Sequence, residues 1–190
     1  DEVGLAAVNS INWARVLAQV VYFFTSAVAL GAPQRPVSFT VPTGNFGDIF
    51  AGFIAREMGL PIERLVIATN QNDILHRTMQ TGDHSKHGVV PSISPSMDIE
   101  VSSNFERALF WAHDKDGAVV AGLMQELKAN GSFKISANAM TALAAIYDSG
   151  AVDEATTSET VSVSAKRLVL TWSSTGMLTL NVSAAMLGLG

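Results

Sequence analysis

The sequence predicts an α/β fold, a parallel sheet of βαβ units flanked by helices, on three observations. A strand, a helix and a second strand follow one another within residues 37–69. Amphipathic helical patterns then recur along 105–149. Finally, 48% of the chain is hydrophobic against 15% charged, enough apolar material for a full core. A βαβ unit of this length implies a parallel pair joined by a right-handed crossover.

Taken in order, residues 13–30 place Trp13, Val16, Leu17, Val20, Val21, Phe24 and Val28 at helical spacing. Asn12 or Ser10 can cap the start of this helix, and Gly31-Ala32-Pro33 stops it. The β-branched run 37–41, bounded by Pro36 and Pro42, reads as a strand. Residues 48–58 repeat Ile49, Phe50, Phe53, Ile54 and Met58 with Gly59 behind them, a helix with a C-cap glycine. The apolar run 65–69 is expected to be a strand covered on both faces. Residues 72–79 read as a short helix. The polar stretch 80–96, broken by Gly82, Gly88, Pro91 and Pro95, reads as a loop or lid. Helices are expected over 105–113, over 118–130 with Asn130-Gly131 closing it, and over 136–149 with Ser136 as cap. Strands near 167–171 and 177–182 complete the reading.

Composition excludes several function classes. A net charge of −5, with seven Arg and five Lys dispersed along the chain, offers no basic field for a phosphate backbone, so nucleic acid is not an expected partner. The absence of cysteine removes disulfides, thiolate catalysis and Cys-based zinc sites, and fits a reducing, cytoplasmic compartment. Residues 16–34 and 168–190 carry no charge, but Gln19, Thr25, Ser26 and Pro33 interrupt the first, which reads as a buried core helix rather than a membrane span. The opening Asp1-Glu2, without an initiator Met, suits neither a signal peptide nor a complete chain, and a fragment or processed product is expected.

The chemistry-bearing stretch is Thr43-Gly44-Asn45-Phe46-Gly47-Asp48, where a strand hands over to a helix. A helix N-terminus leaves backbone N–H groups without partners and carries partial positive charge, so it is a ready anion site. Gly44 and Gly47 are expected to take φ > 0 and to let an oxyanion approach without meeting a Cβ. Thr43 and Asn45 add side-chain donors, and Asp48 is expected to be the N-cap. Neither G-x-x-x-x-G-K-[ST] nor G-x-G-x-x-G is present, so a single phosphate suits the loop better than a pyrophosphate. On spacing alone, a tight turn using glycine for geometry remains the alternative.

Other polar residues are weaker candidates. His76, His84, His87 and His113 show no metal-ligand spacing and are expected in solvated or lid positions, with no metal site. Asp98 and Glu100 alternate as on a strand, in a hydrogen-bonding role. Asn70 and Asn72 follow a strand's C-terminal end, the crevice edge where α/β sheets bind ligands.

Read together, NSINWARVLAQVVYFF (9–24), VPTGNFGDIFAGFIAREMGLPIERLVIATNQNDIL (41–75) and SPSMDIEVSSNFERALF (94–110) resemble the threonine synthase family, in the long form of fungi and many bacteria, over about 8–153. That resemblance implies the tryptophan synthase β-subunit-like fold, dependence on pyridoxal 5'-phosphate, and a lyase that converts O-phospho-L-homoserine and water into L-threonine and phosphate. It implies that the 43–48 loop cradles the cofactor phosphate, with residues 1–153 part of the cofactor-binding domain and 154–190 an uncertain C-terminal segment. Ser10, Asn12 and Arg15 resemble a substrate-binding helix start, Arg15 reaching a phosphate or carboxylate bidentately; a capping arrangement with a surface arginine is the other reading. The family's Schiff-base lysine lies upstream of the matched segment, and Lys86, Lys115, Lys128, Lys134 and Lys166 match no family motif. The catalytic lysine is therefore not expected in this chain, which alone should not turn over substrate. The family's pyridine-nitrogen partner and Asp-Pro-His segment likewise find no match after about residue 153. A non-catalytic phosphate-ligand module, and a membrane or helix-pairing protein built on 16–34, are the competing functions.

Overall fold

The computed structural model describes residues 10–92 and 94–151, together with the backbone of 170–172 and 178–180. Helix α1 (Trp13–Ala29) leads to strand β1 (Val37–Pro42), helix α2 (Gly47–Glu57) and strand β2 (Ile62–Thr69). Helix α3 (Ile74–Thr81), the short strand β3 (Asp83–Ser85) and a 3-10 turn at Pro95–Met97 follow. Next come α4 (Phe105–Ala112), α5 (Gly117–Asn130), β4 (Ser132–Lys134) and α6 (Ala137–Ala144), then β5 (Tyr147–Ala151), β6 (Leu170–Trp172) and β7 (Leu178–Leu180).

The main sheet has the order β5-β2-β1-β6-β7, with β5, β2, β1 and β6 parallel and β7 antiparallel at one edge. Phe39, Leu65 and Tyr147 stand in register across it. Their side chains face the apolar sides of α1 and α2, and Phe23 of α1 meets Phe39 edge-on at 4.9 Å. The buried residues of α1, at helical spacing, are Val16, Val20, Phe23, Ser26 and Ala27. Of the stripe predicted from the sequence only Val16 and Val20 are buried, whereas Trp13, Leu17, Val21 and Val28 are exposed, so the helix is half-buried against α2 and the sheet rather than wholly in the core. The strand–helix–strand order and the parallel pairing of β1 with β2 are thus as the sequence predicts.

Four expectations need correction. β2 is not covered equally on both faces: Leu65, Ile67 and Thr69 are buried while Arg64, Val66 and Ala68 are only half-buried, and the strand begins three residues earlier than the apolar run. The helix expected over 136–149 stops at Ala144, and Tyr147–Ala151 becomes a parallel strand beside β2. The vacant edge of β2 offers a hydrogen-bonding ladder and a core position for Tyr147, which outweigh a weak local helical pattern. The 80–96 stretch is not all loop, since β3 pairs antiparallel with β4. Asp98 and Glu100 lie beyond the Pro95–Met97 turn rather than on a strand. The predicted strands near 167–171 and 177–182 correspond in part to β6 and β7, their remainder lying outside the described residues, as does 152–169.

Candidate anion site at the mouth of the second helix

β1 ends at the sheet's carboxyl edge, where α/β sheets place ligands. There the Thr43 N–H donates to the Ala68 carbonyl (2.8 Å) and the Thr43 hydroxyl to the Val41 carbonyl (2.6 Å). The Thr43 side chain therefore holds the turn rather than offering a free donor. Phe46 takes the left-handed conformation (φ 63°) and is the N-cap of α2. A non-glycine residue there costs about 1–2 kcal/mol. Burial of the Phe46 ring against Phe105 (5.2 Å) and Tyr147 (5.4 Å) offsets that strain.

The glycines serve a purpose other than the one expected. Neither Gly44 nor Gly47 has positive φ. A Cβ on Gly44 would stand 2.2 Å from the Ser96 carbonyl oxygen, and one on Gly47 3.3 Å from Asn104 Nδ2. Both are small because the 94–104 segment lies against the loop. Asp48 is likewise not the N-cap; it is the second residue of α2 and makes no capping hydrogen bond. Burial pushes its carboxyl up to about 6, with the Arg15 charge acting in the opposite direction.

The backbone N–H groups of residues 44–49 have no acceptor among the described residues. Their carbonyls are differently placed. Gly44 O accepts from Ser102 Oγ (2.8 Å), and Asn45 O accepts from the Asn104 N–H (3.0 Å) and Asn104 Nδ2 (2.9 Å). A loop with its acceptors satisfied and its donors open presents positive potential to whatever enters. It opens onto a cavity of about 320 Å³, lined by residues 42–49, by Ser10, Arg15 and Gln19, and by Ser96 and Met97. Arg15 is exposed and forms no ion pair among the described residues.

The structure brings together most of the sequence-predicted site, namely Thr43 to Asp48 with Ser10 and Arg15. Asn12 stands apart. It caps α1 by accepting from the Ala14 N–H (2.9 Å) and does not line the cavity. Asn70 and Asn72 do not line it either. They hold the 90–98 segment, Asn72 Nδ2 donating to Asp98 Oδ1 (2.8 Å) and Val90 O (2.9 Å), and Asn70 Nδ2 donating to Ser92 Oγ (3.0 Å). Hydrogen bonding from Ser92 holds the Asp98 carboxyl below its ordinary range. Of the histidines, His84 is not solvated but 2% exposed, stacked between Phe105 (5.5 Å) and Phe133 (4.6 Å). Sequence reasoning missed Gln19, Ser96, Met97, Ser102 and Asn104. The run Ser102-Ser103-Asn104 before an apolar helix reads as a cap, yet Asn104 makes no capping bond. Only the fold shows where its side chain goes.

No protein-family model matches the chain. It is 55% identical over 157 residues to threonine synthase of Pseudomonas aeruginosa, an alignment covering 83% of this chain and 34% of that protein. The structure of PLP-bound threonine synthase from Brucella melitensis superimposes with a TM-score of 0.77 at 60% identity, over 78% of this chain and 32% of that one. The chain belongs to the threonine synthase family. Threonine synthase from yeast superimposes with a TM-score of 0.76 at 45% identity, over 82% of this chain and 33% of that one. The chain thus spans about a third of the length of the family members it matches, and the parallel sheet with flanking helices is the family's fold in that portion.

Proposed function

We propose that the chain supplies the cofactor-phosphate site of a pyridoxal-phosphate-dependent threonine synthase, a carbon–oxygen lyase that converts O-phospho-L-homoserine and water into L-threonine and phosphate. The observation carrying this reading is the set of acceptor-free N–H groups at 44–49, facing a cavity of about 320 Å³ beside Arg15. These residues fit a phosphate monoester. The open amides of Gly44, Asn45, Phe46, Gly47 and Asp48 would hold its oxygens, and Thr43 would keep the loop's wall in place. Pyridoxal phosphate, when bound, supplies an electron sink for the amino-bearing carbon of a substrate. The chain's own residues bind and orient.

On this reading Ser10 and Arg15 face the substrate's anionic group, the planar guanidinium suiting a phosphate or carboxylate. Asn12 contributes by fixing the start of α1. Residues 1–153 then form part of the cofactor-binding domain, and the cysteine-free composition suits a cytoplasmic setting. No lysine lines the cavity among the described residues, so the chain by itself is expected to bind without turnover.

The test compares pyridoxal 5'-phosphate with pyridoxal, which lacks the phosphate, in equilibrium binding to the chain. The phosphorylated form should bind at least about tenfold more tightly, the equivalent of one charge-assisted hydrogen bond. Gly44→Val, which drives side-chain atoms into the Ser96 carbonyl, should erase the difference. Equal affinities for the unaltered chain would sink the proposal. A binding module without catalysis is the second reading, favoured by the lack of a cavity lysine among the described residues; a Schiff-base lysine upstream in the complete gene would discard it.

A further inference from the structure

We infer that Asn104 is a positioning residue that sets the spacing between the amide loop and the Arg15 segment, coupling the two anion-facing sides of the cavity; this rests on the reading of that cavity as a phosphate site. Asn104 is 0% exposed at the start of α4. Its side-chain amide nitrogen donates to the Ser10 carbonyl (2.8 Å) and to the Asn45 carbonyl (2.9 Å). Both accepting residues line the cavity, from segments far apart in the chain. An amide carries two N–H donors, and here each is committed to a different wall.

Neighbouring contacts repeat the arrangement. The Asn104 N–H also donates to Asn45 O (3.0 Å), and Ser102 Oγ to Gly44 O (2.8 Å). Toward the other wall, Arg107 Nη2 donates to Ile11 O (2.8 Å) while its guanidinium lies 5.1 Å over the Trp13 ring. The first turn of α4 therefore grips both the 10–13 segment and the 44–45 turn. Gly47 keeps the space that the Asn104 side chain occupies. Among the described residues the buried Asn104 Oδ1 has no partner, and the side chain is held there by its donors. Aspartate has the same shape but no donor, and serine retains one.

A double-mutant cycle on the full chain tests this, with inorganic phosphate as the probe and far-UV circular dichroism confirming the fold. Asn104→Ala should weaken phosphate binding about tenfold, and Arg15→Ala should cost about tenfold in the unaltered chain but less than about threefold in the Asn104→Ala background. Should Asn104→Ala fail to fold, Asn104→Ser carries the same cycle, with an intermediate loss and partial coupling expected. Independent, multiplicative losses, or unchanged affinity on replacing Asn104, would overturn the inference while leaving the phosphate site standing. If the unaltered chain does not bind phosphate, the site reading falls and the inference with it.

Discussion

Asp48 places a carboxylate on the cavity wall whose amides have no acceptor among the described residues, and burial raises its pKa from 3.8 to about 6. A group that holds its proton more tightly when folded makes the fold less stable as pH rises between those two values. The full shift corresponds to roughly 3 kcal/mol, and partial solvent contact reduces the expected effect to about 1–2 kcal/mol. Asp48→Asn should therefore be more stable than the parent near about pH 8 by that amount, the advantage fading as the pH approaches about 4. Urea unfolding at several pH values measures it, and a difference independent of pH would contradict the assignment. The same substitution removes a like charge from an incoming phosphate, so phosphate affinity at neutral pH should rise.

Between elements, the contact of α1 with α2 is set by one missing methyl group. A Cβ on Gly52 would lie 2.6 Å from Phe23 Cε1 and 2.9 Å from Leu65 Cδ2, both in the core. Replacing a helix-interior glycine with alanine ordinarily gains about 1 kcal/mol. Overpacking costs about 1–3 kcal/mol. Gly52→Ala is expected to lose up to about 2 kcal/mol net, while Gly122→Ala on α5, where nothing lies within 4 Å, should gain about 1 kcal/mol. A pair of urea midpoints decides it. Equal shifts for both glycines would show that helix propensity, not packing, governs α2.

Across the whole molecule, His84 links the small β3–β4 sheet to α4 through its two aromatic neighbours, and its Nδ1 lies 2.9 Å from Thr78 Oγ1. Burial, then the Arg77 charge, lowers its pKa from 6.5 to about 4. The unfolded chain takes up a proton that the folded one refuses, so this contribution to stability is lost as pH falls through that window. Asp48 acts with the opposite sign over an overlapping range. His84→Leu should therefore flatten the loss of stability on acidification and Asp48→Asn should steepen it, as read from unfolding midpoints between about pH 4 and about pH 8. Identical pH profiles for the two variants would refute the opposed assignments.

The strand-to-helix loop and the existence of α1 were legible because each is encoded locally, by β-branched residues up to Pro42, by the glycine-containing turn and by the helical periodicity of 13–30. The buried face of α1 was not, since Trp13, Leu17, Val21 and Val28 are exposed. The amino-acid order alone thus determined the βαβ unit, the place of the loop between β1 and α2, and a cap for α1 at Asn12 or Ser10, of which the structure selects Asn12. Tertiary structure decided why Gly44 and Gly47 are glycine, because the atoms a Cβ would meet belong to Ser96 and Asn104. It also turned 147–149, the end of an expected helix, into part of a strand, buried His84, and assigned Asn104 to the loop rather than to its own helix end. These outcomes depend on clearance, desolvation and hydrogen-bond partners contributed by distant segments, as when Asn104 reaches Asn45 across 59 positions of chain. Local periodicity carries no record of such encounters.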